Sequence, residues 1–182
     1  MAVIVRETKE TQIRMELALG GDVAANVAST SIPFLDHMLI TLARYAGVSM
    51  RVSAQGDLRH HVIEDVAICA GAAFREITPA TCQRYGDRTI PMDDALVHCA
   101  IDLGGRAYYR GPLPSHLYDH WMRSFADNAK ASLHLRVLRG TDRHHVVEAA
   151  FKALGLAMRE SLAEGSSVFS TKGAASLVIG PC

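Results

Sequence analysis

Apolar and polar positions along the chain follow two rhythms. Residues 3–7 (VIVRE) and 11–19 (TQIRMELAL) predict strands joined by a tight turn, the second roughly alternating. Gly20-Gly21 closes the second strand. From Phe34 to Ala46 the apolar spacing becomes helical, with Pro33 suited to a first turn. Residues 48–54 predict a short strand ended by Gln55-Gly56-Asp57, and the Ala-rich stretch 60–78 predicts a long helix. The order then recurs. Strands are expected over 95–103 and 107–110 around Gly104-Gly105, and a helix over 116–130 capped by Ser115. A strand over 133–138 and a helix over 144–163 follow. Residues 79–94 read as a link, and 164–182, rich in Ser and Gly, have no clear periodicity.

The recurrence is a true internal repeat. RHHVIEDVAICAGAAFRE (59–76) matches RHHVVEAAFKALGLAMRE (143–160) at nine of eighteen positions with an offset of 84. The same offset pairs Leu19-Gly20-Gly21 with Leu103-Gly104-Gly105, and Gly56 with Gly140. Two copies are too few for a solenoid. They imply an α+β chain of two pseudo-symmetric halves, 1–90 and 91–182, each a small sheet with helices on one face.

Composition narrows the function. The 182 residues are 49% hydrophobic and 21% charged, enough apolar material for a core. Nineteen basic and nineteen acidic residues cancel, so no global cationic field invites nucleic acid. No apolar run reaches the roughly 18–20 residues of a membrane helix, and the N-terminus lacks the layout of a signal peptide. Cys69, Cys82, Cys99 and Cys182 are widely spaced, which points to a reducing cytoplasm rather than a disulfide framework.

Histidine carries the chemistry. His60-His61 with Glu64, and His144-His145 with Glu148, form the same HHxxE pattern at matched repeat positions. On a helix, residues three or four apart share a face, so a histidine and the glutamate can converge on one ion. Adjacent histidines diverge by about 100°, so each doublet serves two metals, or a metal and a substrate, and a second subunit can complete each site. His37 precedes its doublet by 23 residues and His120 by 24, which makes them equivalent ligands. The set is His37, His60, His61, Glu64, His120, His144, His145 and Glu148: three histidines and one glutamate for each of two metals. Four protein ligands leave two octahedral positions open, which suits Mn²⁺ or Fe²⁺.

These residues, with RETKET (6–11), PFLDHML (33–39), RYG (84–86), PMDDALV (91–97), DLGGRAYY (102–109), SFADNAKASLHLRVLRG (124–140) and STKG (170–173), resemble the imidazoleglycerol-phosphate dehydratase family over essentially the whole chain. The resemblance implies duplicated halves of the ribosomal protein S5 domain 2-like type. It implies two Mn²⁺ per active site, a phosphate-ester substrate, and a homo-oligomeric 24-subunit shell with active sites at subunit contacts. The eight residues above fall on the family's metal ligands, of which His37, His60, His61 and Glu64 also face substrate. Glu10 falls on the proton-transfer glutamate of RxTxET, with Glu64 and Glu148 beside it in the catalytic set. Arg84, Arg106, Ser170 and Lys172 fall on substrate-contacting positions, chiefly for phosphate.

The chain departs from the family pattern in places. Only Arg59 stands between GDL and the first doublet, where several more residues are usual. Val62 follows that doublet in place of Thr, GTDRHH replaces GxNxHH, Asp94 replaces Glu, and Ile40 and Tyr45-Ala46 replace polar positions. All of these changes spare the ligands. The competing readings, another dinuclear metal hydrolase or a metal-assembled shell without catalysis, differ in having no use for an imidazole substrate.

Overall fold

The computed structural model describes residues 1–165. In the first half, β1 (Ala2–Glu7), β2 (Thr11–Leu19), β4 (Val48–Gly56) and β3 (Val27–Ser29) form one sheet in the spatial order β1-β2-β4-β3. Helix α1 (Pro33–Ala46) precedes β4 and helix α2 (Arg59–Ile77) follows it. In the second half, β5 (Tyr85–Met92), β6 (Ala95–Asp102), β8 (Ser132–Arg139) and β7 (Tyr108–Arg110) repeat that order as β5-β6-β8-β7. Helices α3 (His116–Ala129) and α4 (Arg143–Ser161) take the places of α1 and α2. The α+β duplication expected from sequence is the observed architecture.

The structure corrects three local readings. Residues 79–94 are not merely a link: β5 pairs antiparallel with β6 along its whole length, so a division at residue 90 falls inside a strand. The strand β3 was not anticipated, because three residues running parallel to β4 are too short to alternate. Ser115 sits at the start of α3 but makes no capping bond through its side chain. Asp119, one turn into the helix, instead ties down the segment leading into it, accepting from Leu113 N at 2.9 Å and from the Tyr109 hydroxyl at 2.6 Å. Its repeat counterpart Asp36 accepts from Thr30 N and Thr30 Oγ1 in the same way.

Each sheet buries one face, visible in the alternating burial along β2 and β6. Helix α2 covers the first sheet and α4 the second, and one hydrophobic core runs through both halves. The helices pack across the halves: α2 against α3, and α1 against α4. Two glycines make this possible. A Cβ on Gly71 of α2 would overlap the Phe125 carbonyl of α3 and lie 2.8 Å from Ala129 N. A Cβ on Gly155 of α4 would lie 2.7 Å from Tyr45 Cβ and 3.0 Å from the Leu42 carbonyl of α1. These glycines are repeat counterparts. Around them pack Phe74, Trp121, Phe125 and Phe151, all fully buried. No described helix is long and apolar enough to cross a membrane.

Glycine to alanine inside a helix ordinarily gains stability through propensity. At Gly71 the sign should reverse. Gly71→Ala is expected to cost about 1–3 kcal/mol, as overpacking does, and to lower Tm by several degrees in a thermal melt. An unchanged or raised Tm would show that α3 can retreat freely from α2.

Candidate metal centre

The crossing helices decide which histidines meet. His60 and Glu64 stand one turn apart on α2, and α3 brings His120 to them. Glu64 Oε2 lies 3.4 Å from His60 Nε2, and Glu64 Oε1 lies 3.2 Å from His120 Nε2. The His60 and His120 rings stack with centroids 5.3 Å apart. One ligand atom from each of the three falls within 4.8 Å of the others. His120 Nε2 is buried and makes no hydrogen bond. Its nearest polar neighbour is the Glu64 carboxylate, and a divalent cation between them would use both. Two imidazoles and a carboxylate are a donor set that fits Mn²⁺, Fe²⁺ or Zn²⁺.

The second trio mirrors the first across the pseudo-dyad. His144 and Glu148 lie on α4, and α1 supplies His37. Glu148 Oε2 is 3.2 Å from His144 Nε2 and 3.5 Å from His37 Nε2. This trio is wider, with the two rings 6.5 Å apart. Lys152 Nζ holds the other oxygen, Glu148 Oε1, at 2.8 Å. Burial pushes the Glu148 carboxyl up, but Lys152 and His37 outweigh it and hold the group below its ordinary range. The counterpart of Lys152 in the first half is Ile68, so that cation belongs to the second trio alone.

The remaining member of each doublet faces elsewhere, as the helical rotation requires. His61 Nδ1 lies 2.8 Å from Asp57 Oδ1, and His145 Nδ1 lies 2.8 Å from Asp94 Oδ1. An ionised carboxylate can only accept, so both imidazoles donate from Nδ1 and keep Nε2 for a metal. Carboxylates orient metal-binding histidines in just this manner. Asp57 raises the pKa of His61, and Asp94 raises that of His145. In return His61 lowers Asp57, while the Thr141 backbone amide and His145 lower Asp94. Asp93 Oδ2 also approaches His145 Nε2, at 3.3 Å. One chain thus assembles six of the eight expected ligands into two trios and points His61 and His145 away from both.

Glu10 occupies the tip of the β1–β2 hairpin. Thr8 Oγ1 accepts from Glu10 N and Thr11 N, at 3.1 and 2.9 Å. Thr11 Oγ1 donates to Asp65 Oδ2, and Arg6 Nε lies 3.0 Å from Asp65 Oδ1. RETKET is therefore a built turn fastened to α2, with Glu10 among its exposed members. The Glu10 carboxylate is 57% exposed and 3.6 Å from His61 Nδ1, beyond hydrogen-bond reach.

The arginines lie elsewhere. Met92 pairs with Ala95 at the turn of the β5–β6 ladder, and Tyr85 pairs with Asp102 at its far end. Arg84 is at that far end, fastened to Asp102 by two hydrogen bonds of 2.6 and 3.1 Å. Arg106 lies between β6 and β7, its carbonyl accepting from Ser132 Oγ at 2.8 Å. One chain does not bring either arginine to the Asp94 end of the ladder. Ser170 and Lys172 lie outside the described residues.

Sequence reasoning passed over Asp57, Lys152 and the Asp65 anchor, and noticed Asp94 only as a departure. The i, i+4 spacing that paired His60 with Glu64 also pairs Asp57 with His61, so that signal was present. The offset of 84 likewise makes Asp94 the counterpart of Glu10. Nothing in the pattern marked Asp65, whose counterpart is Ala149.

Known proteins share this chain's sequence pattern and fold. The sequence profile of the imidazoleglycerol-phosphate dehydratase family matches residues 30–158. The imidazoleglycerol-phosphate dehydratase of Chlorobium chlorochromatii is 43% identical over 188 aligned residues, covering 94% of this chain and 95% of its own. That of Pyrobaculum aerophilum is 45% identical over 185, covering 93% and 97%. Among solved structures, the Pyrococcus furiosus enzyme superposes with a TM-score of 0.85 at 38% identity, covering 94% of this chain and all of its own (100%). The Staphylococcus aureus enzyme gives a TM-score of 0.77 at 29% identity, covering 90% and 99%. A duplicated α+β fold, two His-Glu trios at its helix crossings and relatives aligned end to end lead to one conclusion: the chain belongs to the imidazoleglycerol-phosphate dehydratase family.

Proposed function

We propose that the chain is a hydro-lyase of histidine biosynthesis that removes water from imidazole glycerol phosphate to give imidazole acetol phosphate, in the cytoplasm and with two Mn²⁺ per active site. The observation that carries this reading is the matched pair of trios, His60–Glu64–His120 and His144–Glu148–His37. Two cation sites suit a substrate whose ring offers two nitrogens. Bound Mn²⁺ supplies Lewis-acid stabilisation of an electron-rich imidazole ring. Asp57 and Asp94 hold His61 and His145 with Nε2 facing outward, towards sites that a neighbouring subunit completes. Glu10, exposed on its fastened turn, removes the proton from carbon. The neighbouring hydroxyl leaves as water by taking up one proton, the proton that Glu10 took from carbon is the one returned in its place, and the resulting enol tautomerises to the ketone. Arg84 and Arg106 of another subunit, with Ser170 and Lys172, bind the phosphate. That division of labour accounts for the arginines standing at the opposite end of the β5–β6 ladder from Asp94.

The direct test incubates purified protein with Mn²⁺ and imidazole glycerol phosphate and assays the acetol phosphate. Product that disappears on chelation and returns with Mn²⁺ is expected; a fully metal-loaded protein that forms none would refute the reading. Glu10→Gln should keep its manganese and lose about 10²–10⁴-fold in turnover, the scale of an acid–base group. Near-normal turnover in that variant would remove Glu10 from the chemistry. If subunits share the metals, ion binding favours the assembled state by mass action. Light scattering should then show chelation shrinking the particle to a smaller folded oligomer and Mn²⁺ restoring it. An unchanged mass after verified metal removal would mean that protein contacts alone hold the assembly.

A further inference from the structure

The two halves hold their outward histidines by different devices. In the second half the hairpin acid does it. Asp94 accepts from Thr141 N at 2.7 Å, Thr141 Oγ1 at 3.0 Å, Asp142 N at 3.2 Å and His145 Nδ1 at 2.8 Å. The acid in the turn before the helix, Asp142, caps α4 by accepting from His144 N and His145 N. In the first half these jobs are redistributed. The turns have equal length, Gly56 to His60 and Gly140 to His144, but the acid stands one residue earlier, at Asp57. Leu58 occupies the cap position and contributes no side-chain bond. Asp57 Oδ1 instead accepts from Leu58 N at 2.7 Å and from His61 Nδ1 at 2.8 Å. Glu10, at the repeat position of Asp94, is left without a hydrogen bond to His61.

We propose that Asp57 is a positioning residue that holds His61 in the place of the hairpin acid and thereby leaves the Glu10 carboxylate free for substrate. The idea rests on the catalytic role proposed for Glu10, but its physical core does not. A donor at His61 Nδ1 needs an acceptor, and Glu10 Oε2, 3.6 Å away, is the next carboxylate within reach. With Asp57 removed, Glu10 should close on His61 as Asp94 closes on His145.

Two readouts test this. The first is a crystal structure of Asp57→Ala, which needs no activity. Glu10 is expected within hydrogen-bond distance of His61 Nδ1; Glu10 still outside that distance overturns the proposal. The second is kinetic, on Mn²⁺-loaded protein. Asp57→Ala should lower kcat and kcat/KM together by about 10–100-fold, the usual effect of losing an outer-shell partner. Asp57→Asn keeps an oxygen acceptor and should retain most activity. Equal losses in the two variants, or none in Asp57→Ala, overturn the proposal. So does strict additivity between Asp57→Ala and Glu10→Gln, because residues acting through one another are non-additive. Wild-type protein without dehydratase activity would refute the proposed function and leave the crystallographic comparison to decide the role of Asp57.

Discussion

Two glycines one repeat apart let helices from opposite halves cross at backbone distance, and the candidate site depends on that approach. Gly71 sits against Phe125 and Ala129 of α3, and Gly155 against Leu42 and Tyr45 of α1. Side chains at these points would push the helices apart. His120 would then lose Glu64 and His60, and His37 would lose Glu148 and His144. Neither half can build a trio alone, because each trio takes two residues from the long helix of one half and one from the shorter helix of the other. The core aromatics Trp121, Phe125 and Phe151 fill the same crossing region, so packing and ligand placement are one problem with one solution.

Duplication supplied two equivalent frames, and the differences between them carry chemical meaning. The first trio is tighter, and Ile68 stands where the second has Lys152. The second is wider and has Lys152 on one oxygen of its glutamate. The hairpin tips differ more. Asp94 is saturated by a turn and a histidine, while Glu10 is presented by a turn that is itself fastened to Asp65. The short acid, Asp94, stands where a turn and a histidine lock it, and the longer, exposed one, Glu10, stands on the fastened turn.

The arginines stand apart from the trios within one chain. Arg84 and Arg106 lie at the end of the β5–β6 ladder away from Asp94, and Arg84 is organised by Asp102. Within one subunit the metal-type residues and the proposed phosphate-binding residues have different addresses. In the proposed function their cooperation takes two copies, arranged so that opposite ends meet.

The sequence by itself determined the duplication, the α+β class and the two HHxxE helices, because these rest on local periodicity and on an offset that needs no coordinates. It also paired His37 with His120 through their matched distances to the doublets. It misread β5 as a link, and it passed over β3, whose three residues have meaning only beside β4. Tertiary structure alone decided that each trio spans both halves, since no sequence pattern says that α3 rather than α1 meets α2. It also decided which histidine of each doublet turns inward, and that Asp57 and Asp94 hold the other. Those outcomes depend on the distance and angle between crossing helices. Backbone contact at Gly71 and Gly155 sets both, and such contact joins residues far apart in the chain.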